Sequence, residues 1–432
     1  MRPIRVIHQV LFTCLLATVG CGTTVDGAES NWAADTIDVQ KRTIQNQADV
    51  ACQEERGMIR LAVADTTYTK RFVLRYPEEK ASWNGRVLIG AHGGSGGKLY
   101  TRDGTETGTS ETALDDVIAD YALARGYIYA SVDRDGIGGT REGLRLTNAF
   151  TDQIKERVQA VYNQTADYVF LAGLSAGGAV TRYAAENPAG GYDGALIIAG
   201  GGGVPPPHLD RQAKLAVLWP DVDPVIHPDR PLTDARVKAY AELIGTPIEA
   251  RRFWSFVGAR QTLDGLRRTL ERYGLKDLTD DQLRNFQTKD YEQNGTFMRS
   301  VNISRGANFT SIPTIPVIEV AGTYDDVVMA GIFAYKAAFK LFLERDRSGP
   351  RDLHRLYQVN GVWHISSDDD AIGTFQYFMK QMGIGEEAQD QLATGGTYRP
   401  AVEQALGHLE QWVTAGVVPP PDQTIEPSGL LE

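Results

Sequence analysis

Two segments of this chain set a serine among glycines: Gly173-Leu174-Ser175-Ala176-Gly177 and Gly93-Gly94-Ser95-Gly96-Gly97. A serine in a G-x-S-x-G setting can occupy a sharp strand-to-helix turn, its hydroxyl pushed into the open because no neighbouring Cβ obstructs the backbone. The chemistry open to such a hydroxyl is attack on an acyl carbon. Context separates the two matches. Ser175 follows the apolar run Tyr168-Val169-Phe170-Leu171 and precedes a small-residue segment, Ala179 to Glu186, that reads as a helix stopped by Pro188. Ser95 leads instead into Lys98 and a polar stretch through Thr109 with no helix pattern. Ser175 is the candidate nucleophile, weighed against an ordinary glycine turn.

A serine hydroxyl is a weak nucleophile and needs a base within hydrogen-bond reach, itself oriented by a third group. His364, in Val359-Asn360-Gly361-Val362-Trp363-His364, lies just after an apolar strand pattern, where side chains gather at the carboxyl edge of a sheet. The other six histidines have poorer addresses. His354 begins that strand at the opposite edge, and His8 lies in the N-terminal apolar segment. His208 and His227 lie in a helical insertion, His408 on the closing helix, and His92 in the early glycine loop. For the orienting acid, Asp325 and Asp326 follow the strand pattern Val317 to Ala321, and either can reach. Charge developing on a carbonyl oxygen is best met by fixed backbone N–H groups. Ala176, next after the serine, supplies one, and Gly94 or Gly93 of the glycine loop the other.

These residues need a sheet whose strand ends converge. Short apolar runs at Met58–Val63, Lys70–Tyr76, Gly85–Ala91, Tyr127–Val132, Tyr168–Leu171, Gly194–Ala199, Pro316–Ala321 and His354–Val359 read as strands. Helix patterns at Ser110–Ala124, Phe150–Tyr162 and Met329–Arg345 fall between them, and a closing helix carries Val402, Ala405, Leu406, Leu409, Trp412 and Val413 on one face. Nearly continuous apolar strands alternating with helices predict a mostly parallel, doubly wound α/β sheet covered on both faces. The rhythm breaks at Gly200 to Pro207. No Lys-Ser/Thr pair follows that glycine run, so it reads as a hinge rather than a phosphate cradle. Beyond it, patterns at Thr233–Ile244, Pro247–Val257, Gln261–Tyr273 and Thr279–Glu292 predict an inserted helical cap. Phe253 and Trp254 of the cap and Trp363 beside His364 are candidates for lining a substrate pocket. The plainer reading gives the cap aromatics, Trp219 included, to the cap's own core. Asp221, Asp223 and Asp368-Asp369-Asp370 read as solvated charge rather than calcium ligands, and no metal site is expected.

With 44 basic and 55 acidic residues the net charge is −11, and no basic cluster can follow a phosphate backbone, which argues against a nucleic-acid partner. Arg2 and Arg5 precede an apolar run, Val10 to Val19, too short to span a bilayer and laid out like a secretory signal. It ends in Thr18-Val19-Gly20-Cys21, similar to a bacterial lipobox, so membrane attachment through a lipidated Cys21 and simple cleavage near Ala28 both stand. Either predicts export, to the periplasm, the medium or the bacterial envelope. Cys14 and Cys21 would then be lost or acylated, leaving Cys52 with no disulfide partner.

The order Ser175, aspartate, His364, together with the His92-Gly93-Gly94 loop and a cap after the sixth strand, resembles the α/β-hydrolase superfamily. Within it, Ser82-Trp83-Asn84-Gly85-Arg86 and Trp412-Val413-Thr414-Ala415-Gly416-Val417-Val418-Pro419 resemble segments of secreted tannase and feruloyl esterase relatives. In those enzymes a cysteine pair bridges the neighbours of the serine and histidine, whereas Leu174 and Ile365 stand here. The resemblance implies an α/β-hydrolase fold with Asp325 as the acid, because a G-x-x-D-x-x-V loop aims that position at the sheet edge. It implies an exported serine carboxylic-ester hydrolase working through an acyl-enzyme, without cofactor, on a small-molecule ester, with a lean toward aryl or small hydroxy-acid esters. The expected organisation is a signal over 1–21, a polar lead over 22–57 that is poorly ordered to about Asp49, the core over 58–204 and 312–418, the cap over 205–311, and a tail over 419–432. A serine peptidase of this fold would bring an N-terminal propeller, which residues 22–57 cannot build. A non-catalytic binding module on a hydrolase fold would normally lack a member of the triad.

Overall fold

Alternation along the central strands sorts side chains onto two faces, as the two-residue period of a strand requires. In Tyr168–Leu174, Phe170, Ala172 and Leu174 enter one core while Val169 and Leu171 enter the other. Leu88 likewise faces the first core, and Val87, Ile89 and Ala91 face the second. Such a sheet must be covered twice. The computed structural model of the chain describes residues 32–94, 96–137, 139–187, 190–200, 209–210, 213–214, 216–218, 262–293, 297, 313–323, 353–362, 364–366, 371–381 and 396–427.

The described strands are β1 Thr36–Gln45, β2 Ala51–Val63, β3 Thr66–Pro77, β4 Arg86–Ala91, β5 Lys98–Tyr100, β6 Glu106–Thr109, β7 Ile128–Val132, β8 Tyr168–Leu174, β9 Gly194–Ile198, β10 Val317–Gly322, β11 His354–Val359 and β12 Gln423–Ile425. The described helices are α1 Asp120–Ala124, α2 Gly139–Tyr162, α3 Ala176–Glu186, α4 Leu263–Arg272, α5 Asp280–Arg284, α6 Thr288–Tyr291, α7 Ala371–Gln381 and α8 Arg399–Ala415. Among the described residues one ten-stranded sheet runs in the order β1-β2-β3-β7-β4-β8-β9-β10-β11-β12, and β5 and β6 form a separate hairpin. Pairing is antiparallel from β1 to β7 and parallel from β7 onward. Helices α1 and α8 cover the first core, and α2 and α3 the second. From β4 the chain crosses to β7 on one side and then to β8 on the other. The winding reverses at this point, and the crevice beyond the carboxyl ends of β4 and β8 is where such sheets bind ligands.

Several expectations need correction. Within the expected lead, Thr36–Gln45 is the ordered strand β1, and β2 begins at Ala51 rather than at Met58. β1 hides from pattern reading because it is a largely exposed edge strand. Its Lys41 and Arg42 reach back to Glu55 and Glu54 of β2, two buried carboxylates also met by Arg157 and Arg75. The tail over 419–432 contains β12, whose three residues are too few for a period and whose pairing to β11 was invisible in sequence. The single helix expected over Ser110–Ala124 is a 3₁₀ turn at Ser110–Thr112, a π-helical turn at Asp115–Ala119 and α1. The helix expected from Phe150 begins at Gly139.

In the expected cap, α4 to α6 gather around Leu209, Leu266, Leu270, Leu283 and Phe286, with Phe286 stacked on Tyr291 at 5.1 Å. The α5 start is a capping box, Thr279 and Gln282 satisfying each other's backbone donors. The helices expected at 233–244, 247–257 and 329–345 lie outside the described residues.

Candidate active site

The glycines around Ser175 answer specific close approaches. A Cβ on Gly173 would stand 2.2 Å from Thr181 Oγ1, and one on Gly177 would stand 1.8 Å from the Ala91 carbonyl oxygen. With neither present, α3 seats directly against the ends of β8 and β4. Ser175 carries the turn itself, with φ 55° and ψ −116°, a region that L side chains rarely enter. Its N–H donates to the Ile198 carbonyl at 2.9 Å, tying the turn to β9. A strained, over-determined serine between a strand and a helix is the geometry of a nucleophile elbow.

His364 arrives from β11. Asn360 and Gly361 turn the chain, with Gly361 at φ 70°. The Gly361 N–H donates to Thr323 Oγ1 at 2.9 Å, and the Asn360 N–H donates to the Ile425 carbonyl at 2.7 Å. Fully buried Tyr398, at the start of α8, donates its hydroxyl to the His364 carbonyl at 3.3 Å. Anchored on three sides, His364 places Nε2 2.8 Å from Ser175 Oγ. Both side chains are buried, so the contact is shielded from bulk water.

The Gly93-Gly94 loop leaves β4 beside this pair, because β4 and β8 end in register, with Ala91 opposite Gly173. A Cβ on Gly93 would lie 3.1 Å from Ser175 Cβ, whereas at Gly94, with φ 61°, a Cβ would meet nothing within 4 Å among the described residues. Among the described residues no acceptor takes the N–H of Gly94 or of Ala176. Two backbone donors near a buried serine are what an oxyanion requires.

Behind the loop is a polar cluster. Arg134 N–H donates to His92 Nε2 at 2.8 Å, so the imidazole proton sits on Nδ1, which donates to the Gly93 carbonyl at 2.7 Å. Burial, helped by the Arg134 charge, pushes His92 down to about 3. The neutral ring is therefore no ion-pair partner for Asp133, 3.6 Å away. Burial also lowers Arg134, to about 10. For Asp133, burial acts upward, but hydrogen bonds from Ser110 and the Asp135 N–H and the charge of Arg71 outweigh it and hold the carboxylate below its ordinary range.

Of the expected residues, the structure brings together Ser175, His364, Ala176, Gly93 and Gly94. Asp325, Asp326, Ser95, Phe253, Trp254, Trp363 and Cys21 lie outside the described residues, as do Asp221, Asp223 and Asp368 to Asp370. Among the described residues no acidic, histidine and cysteine cluster could hold a metal ion. Asp133, Arg134, Thr323 and Tyr398 went unnoticed in the sequence. The adjacent charges Asp133-Arg134, directly after an apolar strand, were the available signal, since they fall at the carboxyl edge.

The sheet order, the elbow and the loop define an α/β-hydrolase fold. In agreement, the family profile described as alpha/beta hydrolase domain matches residues 287–430. No curated protein matches the sequence. Similar solved structures include proteins described as esterases. Feruloyl esterase B from Aspergillus oryzae has TM-score 0.47 at 12% identity, over 92% of this chain and 92% of that one. Tannin acyl hydrolase from Aspergillus niger has TM-score 0.45 at 14% identity, over 88% and 83%. The rice cell wall degrading esterase LipA from Xanthomonas oryzae has TM-score 0.43 at 12% identity, over 83% and 98%.

Proposed function

We propose that this protein is an exported serine carboxylic-ester hydrolase. The 2.8 Å contact between His364 Nε2 and Ser175 Oγ, made at a strained elbow, carries this reading. In the first step Ser175 Oγ attacks the ester carbonyl carbon while His364 Nε2 takes the hydroxyl proton. The carbonyl electrons move onto oxygen, where the N–H groups of Ala176 and Gly94, with Gly93 next, stabilise the charge. Collapse breaks the bond to the alcohol, which leaves with the proton from His364, and Ser175 holds the acyl group as an ester. Water, deprotonated by His364, attacks that ester; the bond to Ser175 Oγ breaks, His364 returns the proton to Oγ, and the acid is released. Asp325 is assigned the orienting role, with Asp326 as the alternative.

Aryl and small hydroxy-acid esters are the preferred substrates in this reading, with Phe253, Trp254 and Trp363 as pocket candidates. Export rests on the N-terminal segment, with Cys21 as the acylation site if the lipobox is used. Among the described residues no helix is long and apolar enough to cross a membrane. The test is labelling with a fluorophosphonate probe followed by peptide mapping, using the Ser175→Ala variant as control. Label on Ser175 and none in the variant is expected; equal labelling of both would overturn the assignment.

A further inference from the structure

We infer that His92 and Arg134 aim the two loop amides of the oxyanion hole, a positioning role performed from the end of β7. The inference rests on the esterase reading of Ser175 and deepens it. A Gly93-Gly94 pair has no side chain with which to hold its own peptide planes, and glycine backbones turn freely. Donors that must be fixed before charge develops therefore need to be held from outside the loop.

Peptide geometry says how. In a planar trans peptide the C=O of one residue and the N–H of the next point in opposite directions. Fixing a carbonyl on one side consequently aims the following amide at the other. The Gly93 carbonyl accepts from His92 Nδ1 at 2.7 Å, so the Gly94 N–H faces away from the imidazole. The His92 carbonyl accepts from the Arg134 guanidinium, so the Gly93 N–H faces away from that group. Both anchors are interior, with His92 at 0% and Arg134 at 7% exposure, whereas Gly94 is exposed and no atom of the described residues lies within 4 Å of where its Cβ would be. The amides are thus turned from the packed side of the loop to its open side.

The anchors are themselves fixed. Arg134 N–H on His92 Nε2 sets the tautomer that allows Nδ1 to donate. Asp133 accepts from the Ser110 hydroxyl at 2.6 Å, and that hydroxyl in turn accepts from the Gly97 N–H at 3.2 Å. Adjacent residues of one strand end therefore hold both ends of the loop.

The test compares His92→Leu, Arg134→Met and Arg134→Lys with wild type on p-nitrophenyl acetate and with phenylboronic acid, whose tetrahedral serine adduct places an oxygen in the same hole. For folded His92→Leu and Arg134→Met, kcat should fall about ten- to a hundredfold with KM within threefold. Boronate affinity should weaken by the same factor. Arg134→Lys, whose ammonium still reaches the His92 carbonyl, should lie about three- to tenfold below wild type. A folded leucine or methionine variant with kcat within threefold of wild type would overturn the inference. If neither folds, Arg134→Lys decides, and wild-type kcat there also overturns it. Wild type that neither hydrolyses the ester nor is labelled at Ser175 would sink the esterase reading instead. Active wild type with unaffected variants sinks the aiming role alone.

Discussion

Arg182 of α3 donates to Glu319 of β10 at 2.7 Å, with 3% and 1% of their side chains exposed. The pair joins the helix behind Ser175 to the strand that leads toward Asp325, and His354 adds a contact to the same carboxylate at 3.3 Å. Burial alone would raise Glu319, but the Arg182 charge and the hydrogen bonds from His354 and Arg182 outweigh it and hold the group at about 2. A carboxylate depressed in the folded state stabilises above its unfolded pKa, about 4.3, and loses that contribution as pH falls toward the folded value. Stability should therefore drop by about 3 kcal/mol from this group between about pH 5 and pH 1. Denaturant melts across that range should show a shallower slope for Glu319→Gln, which at pH 7 should already be about 3 kcal/mol less stable because the buried Arg182 guanidinium loses the carboxylate charge it meets at 2.7 Å. Equal slopes for the two proteins would refute the assignment.

The two glycines Gly177 and Gly407 should respond oppositely to alanine. At Gly177 a Cβ would meet the Ala91 and His92 carbonyl oxygens at 1.8 and 2.6 Å, and neither strand end can yield without moving the oxyanion loop. Gly177→Ala should lose the ester-hydrolysing activity proposed here and at least about 2 kcal/mol of stability. Gly407 sits within α8, and among the described residues its Cβ would find only Tyr121 Oη, at 4.0 Å. Gly407→Ala should gain about 0.5–1 kcal/mol, mainly by reducing the freedom of the unfolded chain. Thermal melts of both variants provide the check.

The parts of this molecule legible in sequence were those whose causes are local. β4 and β8 could be read because a buried parallel strand is a continuous apolar run, and the Ser175 elbow because its glycines sit within a few residues of it. His364 could be placed because it follows a strand that is plain by itself. What stayed hidden depends on partners far along the chain. Arg134 acquires its role from His92, 42 residues earlier, and β12 from β11. β1 was hidden for another reason: its polar residues are those of an exposed edge, and the carboxylates they reach sit on the next strand. Glu54 and Glu55, within the stretch read as a polar lead, are buried among arginines.

Ser175 should also reveal its backbone strain. Replacing it with alanine removes Oγ but keeps a Cβ at φ 55°, whereas glycine removes both and is at ease there. Strain of this type costs roughly 1–3 kcal/mol, against about 0.5–1 kcal/mol of added chain freedom for glycine. Ser175→Gly should therefore match or exceed Ser175→Ala in stability, with both variants inactive. A glycine variant clearly less stable than the alanine variant would show that the turn is not strained.

The two buried histidines His354 and His364 offer the sharpest separation of chemistry from structure. Both lie on or just after β11, one at each end, but only His364 touches Ser175, while His354 touches Glu319. On the proposed mechanism His364→Ala removes the base and should lower kcat by about four orders of magnitude or more. Its melting temperature should change little, because the imidazole is not the anchor of its loop; the Tyr398, Asn360 and Gly361 hydrogen bonds are. His354→Ala should behave in the reverse way, losing about 1–3 kcal/mol as Glu319 gives up a buried contact, with kcat within a few-fold of wild type. Steady-state kinetics and denaturant melts on the same two preparations decide the matter. If the variants lose activity equally, His364 is not the base.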